Sequence, residues 1–421
     1  MSTVDPPRDF VYDPFSQKAM SDPLPLYRVL REEHPMYYSA EYDTYFLSRF
    51  EDAHAMLSST DNTFISSEGT LPPPEVLRRH NEGVVQEATT TPLSPHFMHG
   101  SPTYEQLRQA HGRPLRPGAV RSLEEDIRRL ARERLDLLVP RGRFDLTQDY
   151  AGIVASNVMC SMFGIPPQEA KYVLDMVNAG SLVDPETGGV RSTEPTIRLF
   201  ELVMACVRDR RRTGPDGGDG AERALPLIDG MFGARIDDRR LDDAEIAMTL
   251  MSVLVGGVET VPKIVAHGLW LLRQHPQQMR KVREDLAANA PVAFREMVRL
   301  GGPAQWFLRT VHRPTTLRGR ELEVGQRVAY IVASAARDER EYGHDADEFR
   351  WDRPNKRLLN FGHGQHFCIG YHLALLEGSV LVEEFLRRVP EFTVVEEQAV
   401  RLPSSFQWGW NELPITVPVE A

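Results

Sequence analysis

Residues 361–370 read Phe361-Gly362-His363-Gly364-Gln365-His366-Phe367-Cys368-Ile369-Gly370, and the rest of the chain is best understood outward from them. One cysteine stands between a glycine-punctuated loop and an amphipathic helix expected over 369–388. A sulfur at a helix start meets free amide N–H groups and the positive end of the helix dipole, which favours a thiolate. Gly362, Gly364 and Gly370 suit a tight loop with φ > 0 whose backbone approaches a bulky flat partner. Three readings compete for Cys368. A buried free cysteine, packing as a small hydrophobe, leaves the glycines unexplained. Zinc would draw on His363, His366 and His372, but no second Cys-x-x-Cys or His-x-x-x-His pair completes a tetrahedral site. A haem-thiolate centre needs one cysteine, a backbone that donates to sulfur, and cationic side chains for the propionates.

The pattern Phe-x-x-Gly-x-His-x-Cys-x-Gly resembles the haem-binding signature of the cytochrome P-450 monooxygenases. The resemblance implies a mainly α fold with small β-sheets, the cytochrome P-450 fold. This is a triangular helical prism in which haem b lies between a long central oxygen-binding helix and the helix after the cysteine. It also implies Cys368 as the axial ligand, in a loop that includes Phe361 and Gly362, and O2 as co-substrate.

With 421 residues and no linker or internal repeat, one domain over 1–421 is expected. Hydrophobic residues make up 41% and charged residues 26%, an ordinary globular balance. A formal net charge of −11 argues against nonspecific nucleic-acid binding. Only Cys160, Cys206 and Cys368 occur, far apart, which suits a reducing compartment. Residues 1–10 lack the basic-then-apolar layout of a signal peptide. The most apolar run, 246–258, falls short of the ~20 residues that cross a bilayer. A cytoplasmic monomer with no membrane or nucleic-acid contact is therefore expected, resembling the soluble bacterial branch of the family.

Along the chain, a short helix is expected over 25–33 and a β-hairpin over 36–50 turning at Glu41-Tyr42-Asp43. Residues 66–101, with Pro72, Pro73, Pro74, Pro92 and Pro95, read as a long irregular segment. Near its end Phe97 is a candidate substrate contact. Helical spacing then runs from Thr103 to Leu137, interrupted at Pro114 and Pro117. Arginines 108, 113, 116 and 121 concentrate positive charge there, and most would face solvent. Residues 213–220, rich in glycine, read as a surface loop between helices.

The longest helical pattern opens at Leu241-Asp242-Asp243-Ala244-Glu245 and runs about nine turns to His275-Pro276. Its middle reads Val255-Gly256-Gly257-Val258-Glu259-Thr260-Val261-Pro262. Two glycines cost roughly 1 kcal/mol each there and a proline roughly 3 kcal/mol, so something requires the distortion. Pro262 cannot donate to the Val258 carbonyl, so the helix is expected to open beside Glu259 and Thr260. An ordinary proline kink with a back-bonding Thr is the competing reading. Gly-Gly-x-Glu-Thr resembles the family's oxygen-binding motif, which implies Glu259 and Thr260 as the acid and alcohol that relay protons. Pro262 departs from the usual pattern.

Other segments resemble the family in order. Arg108, after Leu107, would reach one propionate and Arg309 the second, with His366 also in contact and Tyr104 where many relatives carry histidine. Glu296 and Arg299 would form the buried structural pair of the Glu-x-x-Arg motif, joined by Arg353 from the segment 349–354. Residues 309–331 alternate as β-hairpins, and 404–410 read as a hairpin whose tip projects toward the pocket. Ser252, Val255, Gly256, Ala304, Phe406 and Gln407 complete the candidate substrate contacts, implying a small, mostly apolar terpenoid or aromatic compound. Electrons would come from NAD(P)H through a reductase and a ferredoxin or flavodoxin docked near Arg108 and Arg113. Two alternatives share Cys368: an enzyme using peroxide, or performing coupling or desaturation, and a haem-binding sensor. The intact Glu259 and Thr260 argue against both.

Overall fold

A computed structural model describes residues 10–59, 61–83, 103–184, 186–214, 224–236, 238–402 and 404–418. The central element is the helix Asp243–Gln274, 32 residues long. Its start is fixed chemically: the Asp242 carboxylate accepts from the Glu245 N–H at 2.9 Å, and Glu245 accepts in return from the Asp242 N–H at 2.8 Å. It ends at His275, before the next helix begins at Pro276. It continues through Pro262 as unbroken helix, so the opening expected from the proline does not occur. The Thr260 hydroxyl donates to the Gly256 carbonyl at 2.9 Å, the back-bond weighed above as the alternative. This helix is also long and apolar enough to cross a membrane, and most of its apolar window is buried in the core; the run 246–258 understated it.

The long helix joins two apolar cores. Ile246, Leu250, Leu254 and Val258 pack with Leu107, Leu115, Val158 and Cys160. Val261, Ile264, Val265 and Leu269 pack with Leu138, Phe294, Met297 and Leu381. The changeover falls at Glu259 and Thr260. The helix Tyr371–Arg388 spans the same seam, with Leu373 and Val380 in the first core and Leu381 and Phe385 in the second. It packs against Glu124–Leu138, Leu286–Gly301 and the long helix.

A five-stranded sheet flanks the helices, in the order Met36–Ser39, Thr44–Leu47, Arg327–Tyr330, Phe307–Val311 and Phe64–Ile65. The first two strands form the expected hairpin, with Asp43 at φ +44° in its turn. Arg309 lies opposite Val328 in the antiparallel pair Arg327–Tyr330 and Phe307–Val311. Between these strands sits a second hairpin, Thr315–Leu317 with Arg320–Leu322. Two expectations need correction. The segment 66–101 is not irregular throughout, since Pro74–Asn81 is a helix with proline in its first turn. Residues 404–410 do not form a hairpin alone: Trp410–Glu412 pairs with Val400–Arg401, and Gln407 bridges to Ala304.

Candidate functional site

The cysteine loop is shaped by specific glycines. Gly362 has φ +70° and Gly364 φ +67°. A Cβ on Gly364 would lie 2.1 Å from the Leu57 carbonyl oxygen, so this glycine allows a close approach to backbone, not to a flat ligand. Gly370 has φ −84°, and a Cβ there would sit 3.9 Å from Cys368 Sγ. That is ordinary contact, so neither the backbone nor the sulfur requires a glycine at this position. The Cys368 N–H donates to the Phe361 carbonyl at 2.8 Å, and the buried Phe361 ring packs edge-on against Tyr371.

The thiol is not turned into a thiolate by its surroundings alone. Burial raises the Cys368 pKa, and the Gly370 backbone N–H and the Arg108 charge only partly offset this. A cation bound at the sulfur is what would take the proton away.

Four residues from three elements meet beside this loop. Arg108, on the helix Thr103–Gly112, donates to Tyr104 Oη at 2.9 Å and to the Phe367 carbonyl at 2.5 Å. The Tyr104 and His366 rings lie 4.3 Å apart. Arg309, buried on its strand, stacks over Tyr330 at 5.6 Å and adds its charge to those acting on Tyr104 and His366. Burial first, then Arg309 and Arg108, push His366 down to about 3, so its imidazole is neutral. Its Nδ1 is buried without a hydrogen-bond partner among the described residues. Among those residues no carboxylate forms an ion pair with either arginine. Buried cations without anions are costly, so this corner suits a ligand that brings carboxylates. The two propionates of haem meet that requirement.

Zinc fares worse. His363 stacks on His54 at 4.2 Å, His366 faces Tyr104, and the His372 ring lies against Tyr371. Among the described residues no three His, Cys, Asp or Glu side chains gather as metal ligands. The residues present fit a haem, with Cys368 for the iron and Arg108, Arg309, Tyr104 and His366 for the propionates.

On the long helix the two glycines differ. A Cβ on Gly256 would meet nothing within 4 Å, whereas one on Gly257 would lie 2.4 Å from Met159 Sδ. Only Gly256 keeps a groove open; Gly257 admits a neighbouring side chain. Ser252 and Val255 share the partly exposed face with Gly256. Glu259 is buried and ion-paired with Lys263 at 3.2 Å, one turn on. Sequence reasoning passed over Lys263, although a Glu at i and Lys at i+4 is a recognisable pair.

Ala304, Phe406 and Gln407 are held together on a different support. Beyond the bridge between Ala304 and Gln407, the Phe406 carbonyl accepts from the Gln305 N–H at 2.6 Å. Phe97 lies outside the described residues. Arg108 is turned inward, so of the two arginines expected to receive a partner only Arg113 is exposed. Glu296 and Arg299, both fully buried, lie 2.7 Å apart, and Arg353 joins Glu296 at 3.1 Å. Also unforeseen is Glu377, on the helix after Cys368. It is 1% exposed, its Oε1 lacks a partner among the described residues, and burial pushes it up to about 8.

A single half-buried cysteine in the glycine loop, a cationic corner with no carboxylate paired to it among the described residues and a gap at Gly256 define a haem-thiolate protein. The Cytochrome P450 family model matches residues 168–418. "Putative cytochrome P450 126" of Mycobacterium tuberculosis is 31% identical over 309 residues, 71% of each chain. "Putative cytochrome P450 123" of the same organism is 28% identical over 416 residues, 97% of each. A "Methyl-branched lipid omega-hydroxylase", also from M. tuberculosis, is 28% identical and covers 87% of this chain and 84% of its own. Among solved structures, a mutant of P450 EryK in complex with erythromycin B superimposes with a TM-score of 0.80 at 25% identity, over 96% of this chain and 99% of that one. The chain belongs to the cytochrome P450 family. It is a monooxygenase with haem b as cofactor and O2 as co-substrate, drawing NAD(P)H-derived electrons through partner proteins.

Proposed function

We propose that this monooxygenase, one domain over 1–421, acts in the cytoplasm as a monomer on a small, mostly apolar terpenoid or aromatic compound. A ferredoxin or flavodoxin, served by a reductase, is its electron donor. The observation that carries the reading is the pairing of Cys368 and its anion-poor cationic corner with a helix in which Gly256, unlike Gly257, borders open space. When bound, haem supplies a redox iron at which O2 is reduced and cleaved, with electron donation from the thiolate. Cys368 would hold the iron; Arg108, Arg309 and Tyr104 would receive the propionates as charged or hydroxyl donors, and His366 would donate as a neutral imidazole.

Thr260 holds a proton on its hydroxyl beside the Gly256 gap, and the Glu259 carboxyl delivers protons toward it. Phe406 and Val255 supply apolar contact, and Gln407, Ser252 and the backbone at Ala304 offer the few polar groups that orient a ligand. Exposed Arg113 offers positive charge to an acidic redox partner. A compound panel read by the haem spin-state change tests the substrate class. Terpenoids and simple aromatics should displace the iron-bound water at micromolar concentration. Tight binding confined to long fatty acids or macrolides would overturn the assignment.

A further inference from the structure

A lysine buried to 2% exposure in the middle of an apolar helix is the least expected side chain in this protein. Lys263 is held by one carboxylate, Glu259, and its stem lies along Gly409, where a Cβ would be 3.6 Å from Lys263 Cβ. Four residues on, His267 occupies the same stripe of the helix, also 2% exposed, with Nδ1 lacking a partner among the described residues. Its ring lies 5.3 Å from Trp408, and the Arg401 guanidinium lies 4.7 Å from the same indole. Trp408 Nε1, Gln407 Oε1 and Arg401 Nη1 are likewise buried without partners there. Buried polar atoms are rarely left unsatisfied, and a run of them marks a seam that ordered water fills. Arg401 itself is only partly buried, beside the exposed Val400, so the seam leads to the surface.

We propose that Lys263 is the group that recharges Glu259 with protons, and that it is resupplied through a hydrated seam under the C-terminal segment lined by His267, Gln407, Trp408 and Arg401. This rests on the reading of Glu259 and Thr260 as a proton relay. In each cycle an N–H bond of the Lys263 ammonium breaks as an O–H bond forms on Glu259. The resulting amine takes a proton from water in the seam, so the net donor is solvent. Glu259 needs such a source because it is itself 6% exposed.

Lysine and arginine separate supply from mere pairing. Arginine keeps the charge and the ion pair but does not give up its proton. In Lys263→Arg the solvent isotope effect on reductant consumption should rise, and product formed per reductant should fall by at least about tenfold. Parent values for both in a folded Lys263→Arg protein would reduce Lys263 to a counter-ion and overturn the proposal. A second measurement needs no turnover. In Lys263→Met, with or without haem, Glu259 should become a neutral acid with a carboxylic C=O infrared band that is absent from Glu259→Gln/Lys263→Met. That double variant should also melt higher than Lys263→Met, since the buried carboxyl must take up a proton to fold at neutral pH and the amide need not. Absence of the band, or a double variant less stable than the single one, would overturn the proposal. Thr260→Ala serves as the control. If it changes product yield while Lys263→Arg does not, only the supply route is wrong; if neither changes it, the relay reading has failed as well.

Discussion

Gly256 and Gly257 are identical in sequence and opposite in function. One borders open space and the other Met159. Gly257→Ala should therefore cost about 1–3 kcal/mol in chemical denaturation through overpacking. Gly256→Ala should be neutral, or stabilising by up to about 1 kcal/mol, while slowing carbon monoxide binding. Glu377 offers a second test. Its folded pKa is raised, so the folded state holds a proton that the unfolded chain releases above the ordinary carboxylate range. Its contribution to stability is thus lost as pH rises from about 5 to 8, by about 1.4 kcal/mol per unit. Glu377→Gln should remove that slope in urea titrations at several pH values; an unchanged slope would place its origin elsewhere. At this scale sequence conveyed residue types and spacing but not depth. The helix start beside Cys368 was legible, the burial that outweighs it was not, and nothing in the spacing of Glu259 and Lys263 marks the pair as buried.

Elements were more legible wherever their ends carry chemistry. Asp242 and Glu245 cap the long helix within two residues of its expected start, and Asp43 turns the first hairpin. Prolines were ambiguous. A proline-rich run suggested an irregular segment, yet Pro74 begins a helix, and Pro262 suggested a break where the helix runs on. In both cases tertiary packing decides what local propensity leaves open. The link between elements that matters most is Glu296, which accepts from Arg299, Arg353, Asn355 and the Arg350 N–H. Glu296→Ala would leave the buried Arg299 guanidinium without a carboxylate, although Arg353 keeps Asp345 at 2.9 Å, so a loss of about 3–5 kcal/mol and poor haem retention are expected. A loss below 1 kcal/mol in thermal or chemical unfolding would show that the network is dispensable. Glu68, 259 residues from its partner Arg327, shows what spacing alone cannot supply, a pair made only by the sheet.

Across the whole molecule, the two cores meet along a seam that the long helix and the post-cysteine helix both cross. Apolar packing on both sides fixes the distance between Cys368 and the Gly256 face, leaving the polar residues to the seam itself. Electron entry belongs to this scale too. Arg113→Glu should slow reduction by an acidic ferredoxin and flatten its dependence on ionic strength, measured by stopped flow. The central claim, that Cys368 is the thiolate ligand of a haem, is tested most directly by the absorption spectrum of the reduced carbon monoxide complex. The account predicts the red-shifted Soret band of thiolate ligation in the parent protein and its loss in Cys368→His. A parent spectrum without that band, or one that survives the substitution, would contradict it.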